Sequence, residues 1–302
     1  MPRNFWSLVL AAGAGRRLAS ITGGVPKQYW RADDGRTLLE DTLDRLAPVC
    51  AVDQTVIVVD ASHQSHLADL GRVAAYPHVI AQPCDRGTAA GVLLGLIEIA
   101  AHAPDAIVLL SPSDHGVDRP DLFAAAVRDA ARTVEADAHR VVIFGAMPTH
   151  PEQEYGWITP TRRTDSRGLH GVATFVEKPG ALLAKQLFAT GAVWNTMVLV
   201  ARVGTLLDLY RQHLPTLAHT FLHALTLAPS ARRAFFAARY EDLLPRDFSR
   251  DLLGHAEPLS LSMLPVEAGW SDLGTPDRMR HAGRLRTAPV TSAPAARVRV
   301  AS

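Results

Sequence analysis

Two patterns of hydrophobic positions alternate along the first half of the chain. Short apolar runs without polar interruption are typical of strands in a parallel sheet that is covered on both faces. Segments of helical length and composition lie between these runs. The predicted strands are residues 5–11, 55–60, 106–111 and 141–146, and the predicted helices are residues 37–46, 88–102 and 122–136. This alternation predicts an α/β fold with a mainly parallel sheet and right-handed crossovers.

The pattern changes after residue 150. Three further segments, residues 155–160, 172–178 and 193–201, are predicted strands separated by turns and one helix. We interpret them as an insertion or extension that covers one end of the sheet. Residues 202–245 are rich in helical patterns. Residues 286–302 are biased to Ala, Pro, Ser, Val and Arg without any acidic residue, which predicts a disordered tail after a single domain over residues 1–285.

Composition and charge exclude several classes of protein. The chain of 302 residues is 48% hydrophobic and 20% charged, and its formal net charge of +1 argues against a nucleic-acid-binding protein. No apolar stretch reaches the roughly 20 residues of a membrane span, and no signal-peptide pattern begins the sequence. Cys50 and Cys84 have no spacing typical of a disulfide framework or a metal site. We therefore expect a reduced, cytoplasmic setting and no membrane partner.

A glycine-containing loop follows the first predicted strand. Gly13 and Gly15 would let the backbone approach a ligand closely, and loop amides can hold phosphate oxygens. Arg16, Arg17 and Lys27 would supply positive charge. A simple strand-to-helix turn with solvated arginines remains an alternative. A dinucleotide-binding fingerprint would need a third glycine at residue 18, and a Walker loop would need a following GK[ST].

Seven ordered segments over residues 8–274 resemble the signatures of the sugar-1-phosphate nucleotidylyltransferases. The first is LAAGAGRRL at residues 10–18 followed by PKQY at residues 26–29, which is similar to LAGGxGTRL and PKQ. The other six are QPCDRGTA (82–89), PSDH (112–115), EYGWI (154–158), FVEKP (175–179), WNT (194–196) and WSDLG (270–274). PSDH and WNT point to the mannose-1-phosphate guanylyltransferase branch of this family.

The resemblance implies a fold and a reaction. The expected fold is a Rossmann-like mixed, mainly parallel sheet flanked by helices, of the nucleotide-diphospho-sugar transferase type, with a helix-rich C-terminal part. The expected reaction joins a nucleoside triphosphate, with GTP favoured, to a sugar 1-phosphate, with mannose 1-phosphate favoured. A homodimer is compatible with these expectations. The residues that the resemblance assigns to nucleotide binding are Ala11, Ala12, Gly13, Gly15, Arg16, Gln82, Arg86, Gly87 and Thr88.

Two aspartates are candidate ligands of a magnesium ion. Asp114 follows a predicted parallel strand, where ligands bind in open α/β sheets, although it could equally cap a turn or a helix. Asp272 could be an ordinary turn residue. The resemblance assigns both carboxylates to Mg²⁺, with Mn²⁺ as an alternative ion. Two acids that are distant in sequence fit the preference of Mg²⁺ for one or two carboxylates plus phosphate oxygens.

The remaining assignments concern catalysis and sugar binding. The resemblance implies that Arg17 holds the triphosphate, that Lys27 lies between the two phosphate groups, and that Lys178 holds the sugar phosphate. From the sequence alone, Lys178 is better explained as a solvated lysine at a strand end. The residues that the resemblance assigns to the sugar are Gly156, Glu177 and Asn195. His115 could contact phosphate or have a structural role, and the tryptophans are predicted to be packing residues.

The sequence departs from the family pattern at several positions. Gly87 stands where the family usually has Asn, Ala90 where it has Pro, and Met197 where it has Gly. Ser249 and Asp251 fit an SxD segment, but its usual downstream Glu is absent. Three alternatives follow: the same reaction with UTP or dTTP and glucose 1-phosphate, a catalytically weak ligand-sensing homologue, and a dinucleotide-dependent oxidoreductase.

Overall fold

One mixed sheet is formed by the nine strands of residues 1–285, which are the residues that the computed structural model describes. The predicted tail at residues 286–302 lies outside them. The strands are β1 (Phe5–Ala11), β2 (Thr55–Asp60), β3 (His78–Gln82), β4 (Ile107–Pro112), β5 (Val141–Ala146), β6 (Gly156–Thr164), β7 (His170–Glu177), β8 (Val193–Arg202) and β9 (Ser260–Met263). Their order in the sheet is β3-β2-β1-β4-β8-β5-β9-β7-β6.

The sheet has a parallel half and a largely antiparallel half. Strands β3, β2, β1 and β4 are all parallel, which confirms the prediction for this half. Strand β8 is antiparallel to both β4 and β5, and β7 is antiparallel to both β6 and β9. Strand β6 also pairs with β8 through Trp157 and Trp194. Strands β6 and β7 therefore continue the same sheet.

The expectation that the strands of residues 155–201 extend or cover one end of the sheet holds for β6 and β7, which lie at one edge, but is wrong for β8. Strand β8 lies inside the sheet, between β4 and β5. Its buried apolar run Val198–Ala201 fits a strand with neighbours on both sides. The hydrophobic pattern identified this strand correctly. Its partners lie about 90 residues earlier in β4 and about 50–60 residues earlier in β5, and such pairing leaves no local signal.

Helices cover both faces of the sheet. Within residues 1–285 they are α1 (Ala19–Thr22), α2 (Leu38–Leu46), α3 (Gln64–Ala68), α4 (Gly87–His102), α5 (Pro120–Ala136), α6 (Ala181–Ala189), α7 (Val203–His213), α8 (Pro215–Leu225), α9 (Pro229–Arg239), α10 (Phe248–Asp251) and α11 (Pro276–His281). The helix-rich part predicted at residues 202–245 is α7 to α9. None of the helices in the described part of the chain is long and apolar enough to cross a membrane.

The two faces of the sheet contribute to two separate cores. On β1, Trp6 and Leu8 pack with α4, α7 and α8, whereas Phe5 and Val9 pack with α2 and α5. Successive side chains of a strand point to opposite faces. This division explains why β1 is apolar at nearly every position. Because β1 and β4 are parallel neighbours between the two cores, their carboxyl ends lie together at one edge of the sheet.

Local signals fix where two of the helices begin. Helix α2 has a capping box, in which the Thr37 hydroxyl accepts from the Glu40 amide and the Glu40 carboxylate accepts from the Thr37 amide. Helix α5 begins at Pro120, whose missing amide costs nothing at this position. Strands β3 and β9 were not predicted, because β3 is an edge strand with a half-buried pattern and β9 has two serines in four residues.

Candidate active site

Two adjoining cavities lie at the carboxyl ends of β1 and β4. The first, which we name the loop cavity, has a volume of about 380 Å³ and is lined by the glycine loop, Lys27 and Asp114. The second, about 240 Å³, is lined by residues from β6, β7, β8 and the segment before α10, with Glu154, Glu177, Asp247 and Asp272 as its acids. We name it the acidic cavity. Arg17 lines both.

Side chains of the segment that follows the glycine loop form hydrogen bonds to the loop backbone. The side-chain amide of Gln28 donates to the carbonyls of Ala11 and Gly13, at 2.9 and 2.8 Å, and the hydroxyl of Tyr29 donates to the carbonyl of Ala11 at 2.6 Å. Gly15 has a φ of +62°, and a Cβ on it would lie 2.6 Å from the amide nitrogen of Lys27. The loop therefore needs glycine here. Ala12 continues the loop between the two anchored carbonyls.

Gln28 and Tyr29 are functional positions that the sequence assignments did not include. The signal was present, because both belong to the PKQY segment at residues 26–29. Their role is to position the loop backbone. Arg16 and Arg17 begin a short 3-10 turn over Arg16–Leu18, directly after the loop.

Lys27 bridges the two predicted metal ligands. Its side chain is 4% exposed, and its Nζ lies 3.0 Å from Oδ2 of Asp114 while donating to the backbone carbonyl of Asp272. Burial would raise the pKa of Asp114, but the charge of Lys27 and the neighbouring His115 lower it below its ordinary value. Asp114 is thus held ionised, and the structure brings together three of the predicted residues.

Asp272 is buried and only partly satisfied. Its Oδ1 accepts from the Arg278 guanidinium and from the Gly274 amide, each at 2.9 Å. Its Oδ2 is buried without a hydrogen-bond partner among residues 1–285, and the nearest cation is Arg17 Nη2 at 3.6 Å. Burial would raise the pKa of Asp272, but the nearby Tyr155 hydroxyl and the charges of Lys27 and Arg278 bring it below its usual value.

Arg278 is a second position that the sequence assignments missed. Its guanidinium joins Asp272 to Glu152 and lies 4.9 Å from the centre of the Tyr155 ring. A planar guanidinium that pairs with carboxylates and lies over an aromatic ring fixes the orientation of the carboxylates and of the ring. No sequence signal marked Arg278, because it is on α11, outside the seven family-like segments.

His115 lies on the wall of the acidic cavity and is neutral. Burial lowers its pKa to about 4, and its ring is in edge-to-face contact with Trp270 at 5.2 Å between centroids. Its backbone carbonyl accepts from Arg45 at 3.1 Å. Trp157 and Trp194 are buried in one aromatic cluster with Trp270, as predicted for packing residues.

The predicted sugar residues meet in the acidic cavity. Glu177, at the end of β7, has a side chain that is 11% exposed, and burial together with the charge of Asp247 raises its pKa to about 7. A Cβ on Gly156 would lie 2.5 Å from Oε2 of Glu177 and 3.1 Å from Cβ of Asn195, so the glycine makes room for both side chains. The side chain of Lys178 is half-exposed, and its Nζ lies 3.8 Å from Glu177 Oε1.

Three more residues line the acidic cavity without having been assigned a role from the sequence. Asp247 and Ser249 come from the segment that enters α10, and the Asn195 amide donates to the Ser249 hydroxyl at 3.3 Å. Met197 has a φ of 58°, which is the left-handed region that side chains disfavour. Of the SxD segment, Ser249 reaches this cavity, whereas Asp251 accepts from the backbone amide of Asp247.

The predicted nucleotide residues at the start of α4 contact the helical C-terminal part. Arg86 donates from Nε and Nη2 to the carbonyl of Glu241, at 3.0 and 2.7 Å. Gly87 has a φ of +80°, and a Cβ on it would lie 2.3 Å from the carbonyl oxygen of Arg246. The hydroxyl of Thr88 accepts from the Phe248 amide at 2.8 Å and also lines the acidic cavity.

Gln82 lies behind these residues and does not line either cavity. Its side chain is buried, its amide donates to Oδ2 of Asp60 at 3.2 Å, and its Oε1 accepts from the Tyr240 hydroxyl at 3.4 Å. A larger cavity of about 900 Å³ lies between α7, α8, α9 and the loop after them, and none of the assigned residues line it. The candidate active site is therefore the pair of smaller cavities, which predicted site residues line.

Comparison with known proteins identifies the family. Residues 6–287 match the nucleotidyl transferase family, and the chain belongs to it. The mannose-1-phosphate guanylyltransferase of Escherichia coli K12 is 28% identical over 283 residues, which are 89% of this chain and 58% of that protein. The xanthan biosynthesis protein XanB of Xanthomonas campestris pv. campestris B100 is 30% identical over 275 residues, or 89% of this chain and 57% of that protein. The chain thus spans less than three fifths of these relatives.

A solved structure supports the fold. A Thermus thermophilus protein described as a mannose-1-phosphate geranyltransferase superposes with a TM-score of 0.81 at 27% identity, over 94% of this chain and 80% of that one. A Bacillus anthracis protein described as a glucose-1-phosphate thymidylyltransferase has a TM-score of 0.58 at 15% identity, which supports the fold alone. The predicted fold class, a mixed α/β sheet with helices and a helix-rich C-terminal part, is confirmed.

Proposed function

We propose that the protein transfers a nucleotidyl group from a nucleoside triphosphate to a sugar 1-phosphate, releasing pyrophosphate. The observation that carries this proposal is the junction of the two cavities, where Lys27 lies between Asp114 and Asp272. Two anionic substrates that must approach each other need positive charge and metal-binding carboxylates at their meeting point. Arg17, which lines both cavities, adds a second cation there.

The reaction is an in-line displacement. An oxygen of the sugar phosphate attacks the α-phosphorus, the bond between the α-phosphorus and the bridging oxygen to the β-phosphate breaks, and pyrophosphate leaves with that oxygen. We infer that the backbone of Ala12 to Gly15 and Arg17 bind the triphosphate, and that Lys178 holds the attacking phosphate. Lys27 neutralises charge between the two phosphates, and rigid positioning of both substrates supplies much of the rate.

A divalent ion fits the carboxylates that the chain provides. Nucleotidyltransferases of this family generally use a divalent metal ion. The buried Oδ2 of Asp272, which has no hydrogen-bond partner in residues 1–285, and the ionised Asp114 are suitable oxygen ligands. We propose Mg²⁺, with Mn²⁺ as a substitute, because hard oxygen donors suit both ions. When bound, the ion would polarise phosphate oxygens and stabilise the charge of the leaving group.

For the substrates, we propose mannose 1-phosphate and GTP. Support comes from the relatives named mannose-1-phosphate guanylyltransferase, at 26–28% identity. In the acidic cavity, Glu177, Asn195 and Ser249 present acceptors and donors suited to sugar hydroxyls. Both cysteines are free, which fits a cytoplasmic location, and a homodimer remains part of this proposal.

The test is pyrophosphate release by the purified chain in the presence of Mg²⁺. Four nucleoside triphosphates are each paired with mannose 1-phosphate and with glucose 1-phosphate. We expect release with GTP and mannose 1-phosphate. Release with another pair alone would overturn the substrates but keep the reaction. No release with any pair, together with measurable binding of a nucleoside triphosphate, would instead identify a ligand-sensing homologue.

A further inference from the structure

A separate group of metal-binding side chains lies at the opposite end of the sheet from the loop cavity. His78 is the first residue of β3, while Glu98 and His102 lie one turn apart near the end of α4. One ligand atom from each residue lies within 4.8 Å of the other two. None of these residues lines either cavity of the candidate active site.

The carboxylate of Glu98 is oriented toward the histidines. Its Oε2 lies 3.6 Å from Arg232 Nη1, and its Oε1 lies 3.7 Å from Nδ1 of His78. Arg232 is itself held, because it donates to the carbonyls of Ala224 and Leu227 at 3.3 Å each. One oxygen of Glu98 therefore faces the cation of Arg232 and the other faces His78, each at a distance too long for a hydrogen bond.

The imidazole of His102 also faces the cluster. Its Nδ1 lies 3.7 Å from Oε1 of Glu98 and 2.9 Å from the backbone carbonyl of Glu98. To bind a metal ion through Nδ1, His102 must give up its contact with this carbonyl and carry its proton on Nε2. Trp6 packs against both imidazoles, with ring centroids 5.4 Å from His78 and 5.9 Å from His102, and restricts them further.

The distances are close to those that a tetrahedral zinc ion imposes. Bonds of about 2.0–2.1 Å to each ligand place neighbouring ligand atoms roughly 3.4 Å apart and the centres of two imidazole rings roughly 5 Å apart. The observed separations are 3.7 Å between Glu98 Oε1 and His78 Nδ1, and 4.6 Å between the two ring centroids. The ligand atoms, which lie within 4.8 Å of one another, must approach by about 1 Å to form a coordination sphere.

We propose that His78, Glu98 and His102 bind a zinc ion, with water as a fourth ligand. Two imidazoles and one carboxylate select zinc over magnesium, which prefers oxygen ligands only. The positive charge of Arg232 next to Glu98 limits the affinity. The ion connects the end of α4 to the beginning of the edge strand β3, so binding stabilises the folded chain.

The experiment is a titration of the full chain with Zn²⁺ in excess Mg²⁺, followed by calorimetry and by thermal unfolding. We expect one bound Zn²⁺ per chain and a higher melting temperature. The double variant His78→Ala/His102→Ala should lose at least tenfold in Zn²⁺ affinity and show no zinc-dependent rise in melting temperature. As a control, His219→Ala/His223→Ala also removes two histidines, both exposed and on α8, and should leave binding unchanged.

Two further variants establish which side chains hold the zinc ion. Asp114→Asn should retain Zn²⁺ binding. This result would show that the measured binding does not come from the active-site carboxylate of Asp114. Glu98→Gln should reduce the affinity about tenfold, and it tests the site even if the double variant does not fold. Unchanged Zn²⁺ affinity in both the double variant and Glu98→Gln, or no Zn²⁺ binding by the wild-type chain, would overturn the proposal.

Discussion

The two cavities of the candidate active site are built in different ways. The loop cavity is formed from the parallel half of the sheet, and its parts are fixed by Gln28, Tyr29 and the ion pair between Lys27 and Asp114. The acidic cavity is formed from antiparallel strands together with the segment before α10. It contains Met197 with a positive φ, and Lys178 at its rim also has a positive φ.

This difference suggests separate roles for the two cavities: one neutralises the charge of the phosphates, and the other selects the sugar. In the loop cavity, cations face carboxylates, and nearly every polar contact is within residues 10–29 or with Asp114 and Asp272. In the acidic cavity, burial and the charge of Asp247 raise the pKa of Glu177, so this carboxylate is less well compensated than Asp114. Left-handed backbone at a non-glycine residue costs of the order of 1–3 kcal/mol and is found mainly at functional sites. We infer that the loop cavity determines the reaction and the acidic cavity the sugar.

The strongest test of this comparison removes a carboxylate from the loop cavity. Asp114→Asn keeps a hydrogen-bond acceptor for Lys27 but removes the charge that we assign to the metal. We expect kcat to fall by about 10³-fold, as for the loss of a major electrostatic contribution. The melting temperature should also fall, because the buried Lys27 loses its ion-pair partner, and the activity is therefore compared well below that temperature. The control is Asp121→Asn, which removes an exposed carboxylate paired with Arg119. Full activity of Asp114→Asn in Mg²⁺ would contradict the metal assignment.

The second test concerns the contact between the start of α4 and the acidic cavity. Gly87→Ala and Gly168→Ala both place a side chain at a φ near +80°, but only the Cβ at Gly87 meets backbone, that of Arg246. The change at Gly168 should lower the free energy of unfolding by about 1 kcal/mol, and the change at Gly87 by about 2–4 kcal/mol, since overpacking is added. The KM for the sugar phosphate should rise only in Gly87→Ala, because Asp247 follows Arg246. If the two variants had the same free energy of unfolding in urea and the same KM, the contact between Gly87 and Arg246 would contribute to neither quantity.

The same contact explains what could and could not be predicted from the sequence. The strands β1, β2 and β5 and the loop residues were predictable, because continuous apolar runs and the glycine spacing are local signals. The departure at Gly87 had no sequence-based explanation, since its cause is the backbone of Arg246, far along the chain. Asp247 and Arg278 were missed for the same reason, as they reach the site only through tertiary contacts. Ser249 was noted in the SxD segment but was given no role.

A third test uses the pKa of Glu177, which is about 7 in the fold against an ordinary value of 4.5. Between these pH values the folded protein keeps a proton that the unfolded chain loses, so the free energy of unfolding falls as the pH rises. Glu177→Gln should therefore be more stable than wild type by about 1–2 kcal/mol at pH 8, and equally stable near pH 4.5. Urea unfolding at both pH values measures this. Glu154→Gln, in the same cavity, should change neither value, and a stability difference independent of pH would contradict the assignment.

The variant with the smallest expected effect restores the glycine that the family usually has at residue 197, in the acidic cavity. Met197→Gly relieves a φ of 58° but also removes a side chain that packs against the core, so the two contributions to stability oppose each other. The informative quantity is selectivity, because the side chain of Met197 narrows the cavity. We expect the ratio of kcat/KM for mannose 1-phosphate to that for glucose 1-phosphate to change about tenfold, with the KM for the triphosphate unchanged. Met147→Gly, at an exposed methionine, should leave both quantities as in wild type. If Met197→Gly changed the KM for the triphosphate instead, selectivity would not be confined to the acidic cavity, and the division of roles between the two cavities would fail.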